Sequence, residues 1–252
     1  MALRGLLILM LVLAMAQTGH AQDLVFSTSN RTVWIHSNFT GETITLFGNI
    51  EPDLAGQAPQ GHYDIVVVIR GPVGDRVVRR KARQFGIMLN ADYALFGQLP
   101  SYYRVLSSRP LETILTREAI AEMGFTVEAQ ASAALETTTG NVPMFENELI
   151  RLMEKASLFG TAERGVSFLS PTFFTARAAL PSNVSSGLFL AQAFVVRDGE
   201  VVARNAQQFI VQKTGFERFL GDASRNQPLL YGLACVLLAL VTGWFGGVLF
   251  RR

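Results

Sequence analysis

From Pro228 to Phe250 the chain carries no charged residue, and this run, PLLYGLACVLLALVTGWFGGVLF, is closed by Arg251 and Arg252. As an α-helix it would extend about 35 Å, enough to cross a bilayer with some tilt. Upstream, the sequence is charged, rich in turn residues and patterned for strands. The two parts together predict a folded domain held to a membrane by a C-terminal helix.

The other end completes the topology. Arg4 supplies a short positive region and Leu6 to Ala16 an apolar stretch too short to span. Gly19-His20-Ala21 places small residues at −3 and −1 of a cleavage site. Residues 1–21 therefore read as a signal peptide, with an uncleaved anchor as the alternative. Export of the N-terminus would leave Arg251 and Arg252 in the cytoplasm, as the positive-inside rule prefers. A lipid-anchor signal could also end in an apolar tail after Gly221-Asp222-Ala223-Ser224, but the short spacer and the Arg pair suit a spanning helix better.

Splitting the charge by compartment removes the case for nucleic acid. With Arg4, Arg251 and Arg252 set aside, 22 basic residues fall to 19 against 20 acidic ones in the exported part. The single cysteine, Cys235, lies in the span, so the exported domain has no disulfide and depends on its core alone. The sequons at Asn30, Asn38 and Asn183 matter only in a glycosylating host, and a disulfide-free ectodomain leans bacterial.

Two segments of the exported domain align without gaps: VVRRKARQF at Val77 to Phe85 and VVARNAQQF at Val201 to Phe209. Each follows an apolar strand pattern (to Arg70 and to Arg197) and a turn, Gly71-Pro72-Val73-Gly74-Asp75 or Asp198-Gly199-Glu200. Strand, Gly-rich turn, strand predicts a hairpin. The same hairpin twice predicts either two related β modules or two halves of one sandwich. Thr32 to Ser37, Thr43 to Ile50, Thr172 to Leu180 and Gly187 to Arg197 read as further strands. The class is mainly β, with two immunoglobulin-like β-sandwich modules, although the Cys-Trp-Cys signature is absent. Between them the apolar period changes, and helices are predicted at Leu111 to Met123 and Met144 to Leu158, with a loop at Thr137 to Asn141.

Few residues could carry chemistry. Only His36 and His62 remain in the mature domain, with no metal-ligand spacing, nucleophile motif or phosphate loop; no cofactor is expected and the chain reads as a non-enzyme. The strongest polar feature is Arg76, Arg79, Arg80, Lys81 and Arg83. It could dock an anion, an acidic partner or lipid headgroups, or simply be a solvated edge that discourages aggregation. Strand alternation would put Arg79, Lys81 and Arg83 on one face and Arg80 on the other. Arg80 and its equivalent Arg204 are expected to make similar internal contacts. In the span, Ala239, Gly243 and Gly247 form a small-residue stripe that another helix could approach, though glycine is common in membrane helices.

The segments Ser37-Asn38-Phe39-Thr40-Gly41, Leu46-Phe47-Gly48, Asp64-Ile65-Val66-Val67, Gly71-Pro72, Arg79-Arg80-Lys81 and Gly86-Ile87 with Asn90, together with the apolar helix, resemble an alphaproteobacterial putative transmembrane protein family of unknown function. The similarity runs over nearly the whole mature chain, with Met88 where the family has an aromatic residue. It brings no catalytic residues. It implies a role beside a sulfite-exporter-like permease.

The expected layout is a signal peptide at 1–21, a β module at 22–90, a helical insert at 91–165 and a second β module at 166–215. A linker at 216–227, a transmembrane helix at 228–250 and a cytoplasmic tail at 251–252 follow. The expected role is a periplasmic binding or accessory protein, anchored in the bacterial inner membrane by one span. Its partner would be an integral-membrane protein such as an anion exporter, or a second copy through the helix. An anchored envelope enzyme with a dispersed carboxylate and histidine site, or a structural or chaperone-like protein, are the alternatives. N-terminal sequencing of the membrane-bound protein should begin at Gln22; an intact Met1 would defeat the signal-peptide assignment.

Overall fold

Ile65, Val66, Val67, Val68 and Ile69 form an unbroken apolar run, and a strand of that composition must be covered on both faces. The computed structural model, which describes residues 24–36, 40–51, 61–84, 86–213 and 216–249, covers it with a second sheet on one side and helices on the other. All five residues are 0% exposed. The predicted signal peptide, the Asn38-Phe39 part of the first turn, Phe85, Phe250 and Arg251-Arg252 lie outside the described residues.

The run forms β4 (Asp64–Arg70), the fourth strand of a six-stranded sheet. Its other members, in spatial order, are β2 (Thr32–Ile35), β13 (Glu200–Lys213) and β12 (Gly187–Arg197), then β4, β7 (Tyr103–Ser107) and β9 (Phe159–Glu163). An antiparallel four-stranded sheet contains β1 (Leu24–Thr28), β3 (Gly41–Ile50), β11 (Phe173–Pro181) and β10 (Val166–Phe168). Alternate residues of β3, β11 and β12 are buried, among them Ile44, Leu46, Phe174, Ala176, Phe189 and Ala191, as expected of sheets with one face on a core. Asn205, on β13, donates its amide N–H to the Leu24 carbonyl and ties β1 to the larger sheet.

Between β7 and β9 the chain forms α1 (Leu111–Ile114), α2 (Arg117–Glu122), α3 (Val127–Ala134) and α4 (Val142–Lys155), of which α3 and α4 pack on β9 of the larger sheet and on the outer half of the hairpin formed by residues 64–107. Phe125, between α2 and α3, meets the Phe194 ring edge-on at 5.0 Å, and Phe194 pairs across the sheet with Val66. The helix predicted over Leu111 to Met123 is divided, because Leu115 is extended and Thr116 caps a new helix by accepting from the Ala119 N–H. The second predicted helix opens two residues earlier than expected, capped by Asn141, and Thr137-Thr138 belongs to a strand, β8 (Leu135–Thr138), rather than a loop.

The mainly β class holds, but the division into two separate immunoglobulin-like modules does not describe the pairing. Strand β3 of the first half is paired with β11 of the second, and β4 with β12. The two halves interleave in shared sheets.

The repeated hairpin occurs once. Strands β12 and β13 close through Asp198 (φ 53) and Gly199 (φ 84), the left-handed pair of a two-residue hairpin turn. In the first half the chain does not turn at Gly71-Pro72. It runs on from β4 into β5 (Val73–Gln84), which pairs with β6 (Ile87–Pro100), while β6 runs on into β7, the partner of β4. Backbone bonds carry the pairing across the joint: Gly71 N–H donates to the Tyr102 carbonyl at 2.8 Å and Ser101 N–H to the Pro72 carbonyl at 2.9 Å. Residues 64–107 thus make one long hairpin, inner half in the six-stranded sheet and outer half a ribbon. Gly86 (φ 87) supplies the left-handed conformation at its tip.

Two tyrosines fix the joint. Tyr102 and Tyr103 are 0% exposed. The Tyr102 hydroxyl donates to the Ala179 carbonyl on β11 at 2.9 Å, and the Tyr103 hydroxyl to the Gly124 carbonyl at 2.6 Å. One tyrosine reaches the four-stranded sheet and the other the helical layer. Burial pushes the Tyr102 phenol up to about 12, so it stays a donor at any physiological pH. Tyr102→Phe should lower the unfolding free energy of the full chain in detergent by about 1 kcal/mol, and Tyr102→Ala by about 3–5 kcal/mol. Denaturation followed by circular dichroism measures both.

Candidate functional site

The pairing of β5 shifts where its cations cluster. Partners step from Arg80↔Asp92 to Lys81↔Asn90, leaving Ala91 as the extra residue of a bulge. A bulge sharpens the local twist. Arg79, Arg80 and Lys81 all border one groove. The opposite wall is α4, which contributes Met144, Phe145, Glu148 and Arg151. The groove has a volume of about 550 Å³.

Its floor is apolar and its rim charged. Val78 is half-buried and Phe145 1% exposed. Arg80 binds Asp92 through Nε at 2.9 Å and Nη2 at 2.5 Å, in a partly exposed pair. Arg151 and Glu148, three apart on α4, are joined by two bonds of 2.8 and 2.6 Å; those bonds raise the guanidinium and hold the Glu148 carboxyl below the usual range. Arg79 and Lys81 make no ion pair among the described residues. Four cations thus face two carboxylates, and the two cations left over give the groove a positive rim.

Structure divides the five predicted cations. Arg79, Arg80 and Lys81 line the groove, whereas Arg76 and Arg83 are exposed outside it, Arg83 beside the tip. Arg204 is exposed on β13 with no ion pair among the described residues, so the contact expected to match that of Arg80 is missing there. Strand β5 is also the outer member of its sheet, β5-β6-β8, where cations discourage edge-to-edge pairing.

After β13 come α5 (Phe216–Asn226) and α6 (Pro228–Leu249). Residues Pro228–Val248 form one helix long and apolar enough to cross a membrane, with mean hydropathy 2.0 and none of it buried against the domain. Ala239, Gly243 and Gly247 lie on this helix, exposed, and a Cβ at Gly243 or Gly247 would meet nothing within 4 Å.

At the far end of the larger sheet, a second polar cluster surrounds Asp64, which is 6% exposed. Arg109 grips both carboxylate oxygens, with Nε at 2.9 Å from Oδ1, and the Ser108 hydroxyl donates to Oδ1 at 2.8 Å. His62 Nε2 stands 3.9 Å from the same oxygen. Burial alone would raise this carboxyl, but hydrogen bonds from Arg109 and Ser108, with the nearby positive charge, outweigh it and hold it below the usual range. No group of three or more His, Cys, Asp or Glu that could hold a metal occurs among the described residues. Sequence reasoning missed this cluster, although an Asp opening an all-apolar strand signals a buried carboxylate in need of a partner. It also missed the α4 wall, because that contact joins segments about 65 residues apart.

Asp64 contributes stability that is full above the ordinary carboxylate pKa of about 3.9 and disappears as pH falls through its lower folded value. Arg109→Ala should cost about 1–2 kcal/mol at neutral pH, a figure reduced for the half-exposed guanidinium, and should flatten the loss of stability below about pH 4. Melting of the full chain across that range tests this.

The family model described as "Putative transmembrane protein (Alph_Pro_TM)" matches residues 23–252. No curated protein matches the chain.

Proposed function

Because the chain belongs to this transmembrane protein family, we propose that it is a membrane-anchored binding module whose β-rich domain docks an integral-membrane partner through the groove between β5 and α4. The observation that carries this reading is the pair Arg79 and Lys81, two cations without an ion pair among the described residues, on the rim of a groove floored by Val78 and Phe145. An apolar floor with a charged rim is how protein interfaces are commonly built. The partner should present acidic groups around an apolar knob, and an anion exporter of the sulfite type is the candidate that the family resemblance implies. The domain would lie on the periplasmic side of a bacterial inner membrane, exported by the N-terminal signal.

What supports binding over an anchored enzyme is the state of Asp64. Both its oxygens are engaged and its affinity for a proton is lowered, which makes it a poor general base for His62 to assist.

Crosslinking and purification of the full chain from native membranes tests the docking. Arg79→Glu should reduce recovery of the membrane partner about ten-fold, since reversing a charge at an interface both removes an attraction and adds a repulsion. Unchanged recovery from a variant with a native circular dichroism spectrum would remove the groove from the reading.

A further inference from the structure

We propose that the tip of the β5–β6 ribbon is a second membrane contact, with Ile87, Met88 and Leu89 seated in the interfacial layer of the bilayer and Arg83 on anionic lipid headgroups. The three apolar residues are consecutive and 59%, 62% and 41% exposed. From Arg76 to Ala91 there is no Asp or Glu, and neither Lys81 nor Arg83 makes an ion pair among the described residues. Exposed apolar side chains beside unbalanced cations match an anionic lipid surface. Successive strand residues point to opposite faces, so Ile87 and Met88 cannot both be covered by one flat protein surface. A fluid interface surrounds such a tip from every side.

Topology puts the tip where lipid is. Strands β4 and β13 are both antiparallel to β12, so they run the same way and end, at Arg70 and Lys213, on one edge of the sheet. The root of the ribbon lies there too: a Cβ at Gly187 would come within 2.9 Å of Pro72 Cγ, and Gly187 pairs with Val211. Ribbon and anchor segment therefore leave the domain from the same end. Strand β5 has 12 residues, an extended reach of about 40 Å. Helix α5 has 11, about 16 Å along its axis, before the span begins. The ribbon is long enough to meet the surface from which the span enters.

The test uses the full chain with Cys235→Ser, in nanodiscs of phosphatidylcholine and phosphatidylglycerol containing a lipid-borne nitroxide quencher. An environment-sensitive fluorophore is attached at Met88→Cys or, as control, at Glu200→Cys beside the β12–β13 turn at the opposite end of the sheet. We expect the tip label to be quenched about three-fold more than the control. Arg83→Glu, or discs of phosphatidylcholine alone, should reduce that difference, while Arg79→Glu in the groove should leave it unchanged, so failure here is separable from failure of the docking reading. Equal quenching of the two labels would overturn the proposal. So would quenching indifferent to both charge reversal and lipid charge, or shielding of the tip that persists in detergent and so reports a protein partner. Circular dichroism of each variant confirms that the fold is retained.

Discussion

Continuity of one hairpin through the joint at Gly71-Pro72 and Ser101-Tyr102 is the constraint on which the rest of the molecule depends. Below the joint its strands are the center of the domain, with β4 covered on both faces. Above it the same two strands have no second sheet and rely on β8, α3 and α4 for what cover they receive. Such a two-stranded ribbon is marginal by itself in water. The tyrosines supply what it lacks, because each joins the hairpin to a different layer through a hydrogen bond made by an otherwise apolar, fully buried ring. A displacement of the joint would disturb both layers and the groove together.

Charge is distributed along this hairpin according to burial. At the inner end the Asp64 carboxylate is almost excluded from water and is neutralised by a two-point guanidinium contact, the arrangement that makes a buried charge tolerable. At mid-ribbon Arg80 is paired and half-exposed. Toward the tip Lys81 and Arg83 are exposed and make no ion pair among the described residues, and they remain hydrated, which costs little. The groove and the tip are thus places where this domain has attraction left to offer a partner, whereas the Asp64 carboxylate has already satisfied its own.

Legibility in the sequence followed the range of the interaction. The span was readable because a helix satisfies its backbone locally and its apolar length suffices to identify it. The β class was readable from alternation, and α4 from its apolar stripe and the Pro143 at its start, although the Asn141 cap was not. The arrangement of the strands was not. Val77 to Phe85 and Val201 to Phe209 are alike in sequence yet differ in setting, since β13 is paired inside the large sheet and β5 edges a ribbon. Gly71-Pro72 reads as a turn in any local window; only the partners Ser101 and Tyr102, far along the chain, hold it straight enough to continue the pairing. For the candidate site, the cations were legible as a run and the groove was not, because its other wall, α4, lies far along the chain.

Alternation turns consecutive cations into a solvated edge with no common target, because neighbours point apart. A bulge opposite them changes the geometry without changing a single residue of the run. Here Arg79, Arg80 and Lys81 border one groove and Arg83 lies beside the apolar tip. One of these three is then used internally, by Asp92, which fixes the ribbon's own shape. The remaining positive charge is divided between a protein-shaped cleft and a lipid-shaped point, and a domain tethered beside a membrane can engage both at once. The tether raises the effective concentration of the surface so far that each contact can be individually weak, which fits a groove and a tip of this modest size.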